Sequence, residues 1–218
     1  MPQINKKKWN NVQPGSPMSR GVCAAATALW LRGISRAHVS FGHSTNNAAR
    51  EWAGGQTRDF CATLQAHLEA NNVAIEAVLL NIIRGDAQLD TVHLGTGFHN
   101  GTAQYEYIEA NMLGIYDSDY KNILTRRLTS FQAGHFGFIS AIDGDNNGHA
   151  MGVVCLRTRG SFSKFMGTHP GTVNYYFFDS NIDIYNAITV QDIINDMMSR
   201  FGPGQHWGFG SISFGQLW

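Results

Sequence analysis

Cys23 stands where a helix is predicted to begin. Gly21 and Val22 lead into Cys23 and the run AAATALWLR, which predicts a helix that ends near Gly33. A thiol at a helix N-terminus is favoured as the thiolate, because the helix dipole is positive there. Cys61 and Cys155 fall instead on a predicted helix stripe and inside an apolar strand, the usual settings of a small buried cysteine. Cys23 is therefore the candidate nucleophile, with a structural role as the alternative.

A cysteine nucleophile needs a base, and the chain has nine histidines. His149 directly follows the turn sequence DGDNNG and opens a predicted strand, which would put it at the rim of a sheet. His135 opens the preceding predicted strand and is its main rival. Asp179 ends the apolar run YYFF, and a carboxylate at the end of a buried strand needs a partner. Asp179 could therefore hold the second nitrogen of the base, or it could simply end a strand and start a turn.

The elements that would position these residues fall into two groups. Helices come first along the chain and short apolar strands follow, an order that predicts an α+β fold with the helices packed on a C-terminal antiparallel sheet. We expect an irregular segment at 1–15 and a single catalytic domain at 16–218. Besides the first helix, the predicted helices span 58–70, 73–84, 102–113 and 190–201, and the predicted strands span 135–142, 150–157, 175–179 and 206–218.

Composition and charge exclude several classes of function. Lys+Arg and Asp+Glu are both 16, so a net charge of zero gives no reason to expect nucleic acid as a partner. No apolar run approaches the roughly 20 residues of a membrane span. The run Asp143–Gly148 matches the first half of an EF-hand loop, but its twelfth position would be Val154 instead of the required Glu. We expect no metal and no cofactor.

Four short patches together resemble a known family. They are the Gly21-Val22-Cys23 start, Trp30-Leu31 in the same helix, Gly148-His149-Ala150 opening a strand, and Phe177–Asn181. In order and spacing they resemble the YopT/AvrPphB cysteine proteases, peptidase family C58, which are bacterial type III effectors with a papain-like fold. The resemblance covers residues 15–215 in order and only these patches in identity.

The resemblance implies a Cys-His-Asp triad. Cys23 would attack a carbonyl, His149 would carry the proton, and Asp179 would orient His149. The backbone N–H of Cys23 would be one oxyanion donor, and Gln13 is the predicted second donor, although it lies further upstream than in relatives. The interval between His149 and Asp179 is also longer than in relatives, because of the segment 158–172.

The predicted function is a cysteine endopeptidase that acts as a monomer on a host protein. The N-terminus has no apolar signal region, so we expect cytoplasmic synthesis and secretion into a host cell by a non-Sec route. Two other functions remain open at the level of sequence. A papain-like glutamine deamidase or transglutaminase-type enzyme would use the same triad, and a non-catalytic binding module would use none of it.

Overall fold

The computed structural model describes much of the chain, with gaps. It describes residues 3–5, 22–39, 44–51, 58–71, 73, 75–84, 105–109, 117–143, 148–157, 173–180, 183–187, 189–201 and 207–218.

The described residues form six helices and seven strands. The helices are α1 Cys23–Val39, α2 Thr45–Ala48, α3 Arg58–Ala70, α4 Ile75–Arg84, α5 Asp117–Thr129 and α6 Val190–Phe201. The strands are β1 Gln3–Asn5, β2 Tyr105–Glu109, β3 His135–Asp143, β4 Gly148–Arg157, β5 Val173–Asp179, β6 Asp183–Ala187 and β7 Trp207–Gln216.

The seven described strands form one sheet in the order β1-β6-β5-β4-β3-β7-β2, and all neighbours are antiparallel. The predicted α+β class, with N-terminal helices packed on a C-terminal antiparallel sheet, is thereby confirmed. Strands β4 and β5 lie near the middle of the sheet, and Met151 of β4 lies opposite Asp179 of β5. The ends of the two strands that carry His149 and Asp179 therefore lie side by side.

Both faces of the sheet are covered by helices. Alternate residues of a strand point to opposite faces, so β4 and β5 each contribute to two cores. One core joins α1, α3 and α4 to Ala150, Val154, Tyr176 and Phe178. The other core joins α5 and α6 to Met151, Val153, Cys155, Tyr175 and Phe177.

Helix α1 lies directly on β4. Its first turns are rich in alanine, and their small side chains let the helix approach the strand closely. Gly152 makes this approach possible, because a Cβ atom there would lie 2.8 Å from Trp30 Cζ3 and 3.0 Å from Thr27 Cγ2. Thr27 also donates from Oγ1 to the carbonyl of Ala150 at 3.3 Å. The helix is thereby fixed in position along the strand.

Replacing Gly152 by alanine should destabilise the protein. The added methyl group meets the rigid Trp30 ring, so α1 must shift, at a cost of about 1–3 kcal/mol in the free energy of unfolding. Denaturant unfolding followed by circular dichroism measures this. Gly148→Ala is the matched control, because a Cβ atom at Gly148 would meet nothing within 4 Å. Equal stabilities of the two variants would contradict the close α1–β4 contact.

Several elements differ from the prediction, since the short helix α2 and strand β6 were not predicted. A helix was predicted over 102–113, but Tyr105–Glu109 forms strand β2, paired with β7. The sequence YEYIE alternates and contains Tyr and Ile, which favour strands, so β pairing prevails over helix formation. Helix α5 was not predicted, because it is mostly polar and, among its described side chains at 121–129, buries only Leu124 and Leu128 fully.

The structure also differs from the prediction at the start of the chain and at the end of helix α1. Within the segment predicted to be irregular, Gln3–Asn5 forms the short strand β1 and pairs with β6. Helix α1 continues past Gly33 to Val39. Among the described residues, no helix combines the length and the apolar character needed to cross a membrane.

Candidate active site

Cys23 is the first residue of α1, and its thiol is partly exposed. Thr27 lies one helical turn further on and contacts the Ala150 carbonyl, so Cys23 lies one turn back, above the start of β4. Its Sγ is 3.8 Å from the carbonyl oxygen of Gly148, and its side chain is hydrogen-bonded to that of His149. The α1–β4 contact thus sets the position of the thiol.

The start of α1 is capped from another helix. Val22 precedes Cys23 and has no side-chain acceptor, so it cannot cap the helix as Ser or Asp would. Gln65 of α3 takes this role, since its Oε1 accepts from the N–H of Ala25 at 3.3 Å. The same side chain donates from Nε2 to Glu69 at 3.0 Å. Gln65 therefore holds α3 against the turn that carries Cys23.

His149 is buried between the other two predicted residues. Its Nε2 lies 2.9 Å from Oδ1 of Asp179, which leaves Nδ1 as the ring nitrogen for Cys23. Burial alone would lower the pKa of His149, but hydrogen bonds with Asp179 and Cys23 outweigh burial and raise that pKa to about 10. The charged imidazole therefore contributes to the free energy of unfolding. This contribution is fully present below about pH 6.5 and is lost as the pH rises through about 10.

Asp179 is fully buried at the end of β5. Burial alone would raise the pKa of its carboxyl group, but His149 and Arg200 outweigh burial and lower that pKa to about 2. An ionised Asp179 stabilises the fold above about pH 3.8, and this contribution is lost as the pH falls towards 2. At neutral pH the carboxylate is an acceptor only, so His149 presents a protonated Nε2 to it.

Arg200 is the residue of this site that the sequence analysis missed. It lies on α6 and donates from Nη1 to Oδ2 of Asp179 and from Nη2 to Oδ2 of Asp196. A sequence signal existed. Arg200 falls on the apolar stripe of α6 at seven residues from Ile193, and a charged residue on such a stripe needs a buried partner.

The site joins the two layers of helices at the end of the sheet. Cys23 belongs to the α1 side of the sheet. His149 and Asp179 lie two residues from Met151 and Phe177 on their strands, so they share the face of these residues, which is the α6 side. Because β4 begins at Gly148, its first side chains lie at the edge where both sides meet. The thiol, the imidazole and the carboxylate thus form one connected chain of hydrogen bonds.

The rival residues lie elsewhere. His135 pairs with Gln216, and its Nε2 is 2.8 Å from Gln216 Nε2. Ala141 is the cross-strand partner of His149, and His135 lies at the other end of the same strand, about 20 Å away at about 3.3 Å per residue. Cys61 and Cys155 are buried, and burial raises their thiol pKa values to about 12 and about 11.

Some predicted features lie outside the described residues. These are the predicted oxyanion donor Gln13, Asn181 at the end of the fourth family-like patch, and the segment 158–172. The described part of the chain contains no group of three or more His, Cys, Asp or Glu side chains that could hold a metal ion.

Comparisons with known proteins find similarity among solved structures but none among sequences. No family model matches the chain, and neither does any curated protein sequence. Among solved structures, the crystal structure of the Pseudomonas avirulence protein AvrPphB is similar, with 13% sequence identity and a TM-score of 0.46 over 94% of this chain and 96% of that chain. Similarity at this level carries no argument about chemistry, so the functional proposal depends on the residues of the site.

Proposed function

We propose that this protein is a cysteine endopeptidase in which Cys23 is the nucleophile, His149 the acid–base group and Asp179 the residue that orients His149. The observation that carries the proposal is the position of His149, which is hydrogen-bonded to Cys23 on one side and to Asp179 on the other. A thiol beside an imidazole that is itself held by a buried carboxylate is the arrangement that activates a cysteine for acyl transfer.

The reaction follows from the roles of these groups. The Cys23 thiolate attacks the scissile carbonyl carbon, and the oxygen becomes an anion near the N–H of Cys23 at the start of α1. The charged His149 then gives its proton to the leaving amine, the C–N bond breaks, and an acyl-enzyme thioester remains. Neutral His149 next removes a proton from water, which attacks the thioester; the C–S bond breaks, the acid leaves, and the Cys23 thiolate is restored beside a charged His149. Gln13 stays the predicted second oxyanion donor.

The proposed substrate is a protein of a host cell. The resemblance to the C58 effectors supports this class of substrate, together with delivery by a non-Sec route. The proposed enzyme works as a monomer without metal or cofactor.

The experiment compares the new peptide N-termini that the protein creates in a eukaryotic cell extract. The wild type and the Cys23→Ala variant are incubated separately, and new N-termini are isotopically labelled and counted by mass spectrometry. We expect a set of new N-termini with a shared sequence around the cut, present only with the wild type.

The alternative chemistry has a different signature in the same data. A deamidase would convert Gln to Glu in a Cys23-dependent way without cutting any backbone. Deamidated peptides without new N-termini would overturn the endopeptidase in favour of the glutamine deamidase. If the wild type and the Cys23→Ala variant gave identical data, the non-catalytic binding module would be the remaining candidate function.

A further inference from the structure

Asp179 has two carboxylate oxygens, and only one of them faces His149. Oδ1 contacts His149 Nε2 at 2.9 Å, and Oδ2 accepts from Arg200. The Asp179 side chain is fully buried, so these two partners replace water around its charge. The orientation of the carboxylate therefore depends on Arg200 as well as on His149.

Arg200 is itself held from several directions. Its second terminal nitrogen donates to Asp196, one helical turn earlier on α6. Its guanidinium carbon lies 5.6 Å from the centre of the Phe177 ring, two residues before Asp179 on the same face of β5. Such a cation–π contact and a two-sided ion pair fix a guanidinium in position more firmly than either does alone.

The position of Arg200 is also fixed by the start of its helix. Thr189 and Asp192 form a reciprocal cap, with Thr189 N–H donating to Asp192 Oδ2 at 3.0 Å and Asp192 N–H donating to Thr189 Oγ1 at 3.2 Å. Ile193 and Met197 then bury the face of α6 that carries Arg200. The rotation of the helix, and with it the direction of Arg200, is set by these contacts.

We propose that Arg200 is a positioning residue of the active site, which keeps the Asp179 carboxylate turned towards His149. The proposal rests on the proposed function, since it assigns a role within the same Cys-His-Asp arrangement. Without Arg200, Oδ2 of Asp179 would lose its charged partner, and the buried carboxylate would be able to rotate away from His149. Such a rotation would remove the acceptor that holds the imidazole for Cys23.

The charges around Asp179 support a specific need for a cation. His149 faces it from β4, Arg200 and Asp196 face it from α6, and the thiol of Cys23 on α1 reaches it through His149. Arg200 thus lies among carboxylates, and it is the cation whose charge does not change during the reaction.

The test follows Asp179 and Cys23 separately in the full chain. The carboxyl resonance of Asp179 is followed against pH by NMR with ¹³C-labelled aspartate and assigned with Asp179→Asn. The rate of Cys23 alkylation by iodoacetamide is followed over the same pH range by peptide mass spectrometry. The variants are Arg200→Met, Arg200→Lys and the control Arg126→Met, in which an exposed arginine of α5 is replaced.

In Arg200→Met we expect the Asp179 titration to move up by about 1 pH unit or more, since a neighbouring opposite charge lowers a carboxyl pKa by about 1–3 units. The rate of Cys23 alkylation at pH 6 should also fall by about 10-fold, because a carboxylate that Arg200 no longer holds orients His149 less well. Both changes should be smaller in Arg200→Lys than in Arg200→Met, because lysine keeps the positive charge but not the two-sided geometry of the guanidinium. Arg126→Met should match the wild type.

Each outcome decides the proposal. An unchanged alkylation profile in folded Arg200→Met overturns it, whether or not the Asp179 titration moves, and leaves an ion pair that serves only stability. If Arg200→Met does not fold, two further variants are used: Arg200→Lys, and Asp196→Asn, which removes a partner of the guanidinium. Wild-type alkylation profiles in both of these variants would overturn the proposal equally. If both shifts occur but the wild type creates no new N-termini in cell extract, the endopeptidase proposal fails and the positioning role stands.

Discussion

Replacing Cys23 by alanine should abolish proteolysis while the protein stays folded. The loss should be at least about 10⁴-fold, since removing the nucleophile of such a triad leaves only the contributions of binding and oxyanion stabilisation. Cys23 is partly exposed at the start of α1, so its truncation removes little buried surface. The free energy of unfolding should therefore change by less than about 1 kcal/mol. Both quantities are measured on the same preparation, by cleavage of an identified substrate and by denaturant unfolding.

Cys61→Ala is the matched control for this substitution. Cys61 is fully buried in the core shared by α1, α3 and α4, so its replacement should lower stability without removing activity from the folded fraction. We therefore expect Cys23→Ala to lose activity but keep its stability, and Cys61→Ala to lose stability but keep its activity. Proteolysis by the Cys23→Ala variant at the wild-type rate would refute nucleophilic catalysis by this residue.

Replacing His149 by alanine should remove the reactivity of Cys23 at low pH. In the wild type, the pKa of His149 is raised to about 10 by Asp179 and Cys23 against the effect of burial, so the imidazole is positively charged at pH 6. The proposed mechanism requires this charge beside the Cys23 sulfur. An ordinary thiol has a pKa of about 8.5 and is well under about 1% ionised at pH 6, so alkylation at that pH should fall by about 100-fold in His149→Ala. Alkylation by iodoacetamide from pH 5 to 9, followed at Cys23 by peptide mass spectrometry, measures the profile.

His135→Ala provides the control for a lost histidine. His135 opens β3 and lies against Gln216 and Phe131, at the opposite end of the strand from the residue that pairs with His149. Its removal should leave the alkylation profile of Cys23 in place. A wild-type profile with a single midpoint near that of a free thiol, unmoved by His149→Ala, would identify Cys23 as a structural cysteine.

The helices whose apolar residues recur with a clear helical period were predictable from the sequence. Helices α3 and α6 begin and end at the predicted residues 58–70 and 190–201, because their apolar residues recur at helical spacing and their ends carry recognisable signals. The segment around Tyr105–Glu109 was predicted as a helix and is a strand, since an edge strand of mixed composition depends on its partner β7.

The candidate site was predictable only in part, for a physical reason. Cys23, His149 and Asp179 each carried a local signal, a helix start or a strand end, and the structure brings these three side chains together. Arg200 carried a weaker signal, because its partner Asp179 lies on a different element and the contact depends on how α6 packs on β5. Gln13 lies outside the described residues and stays a prediction.

The meeting of two helix layers at one end of the sheet has a consequence for the timing of activity. The thiol arrives with α1, the first described helix, and the cation behind Asp179 arrives with α6, the last one before β7. During synthesis on the ribosome, the proposed nucleophile is therefore made long before Asp179 and Arg200, and a chain that ends before α6 lacks the contact between these two residues. In the proposed enzyme, Cys23 is therefore activated only once α6 has packed on β5, so completion of the fold is also the step that activates the site.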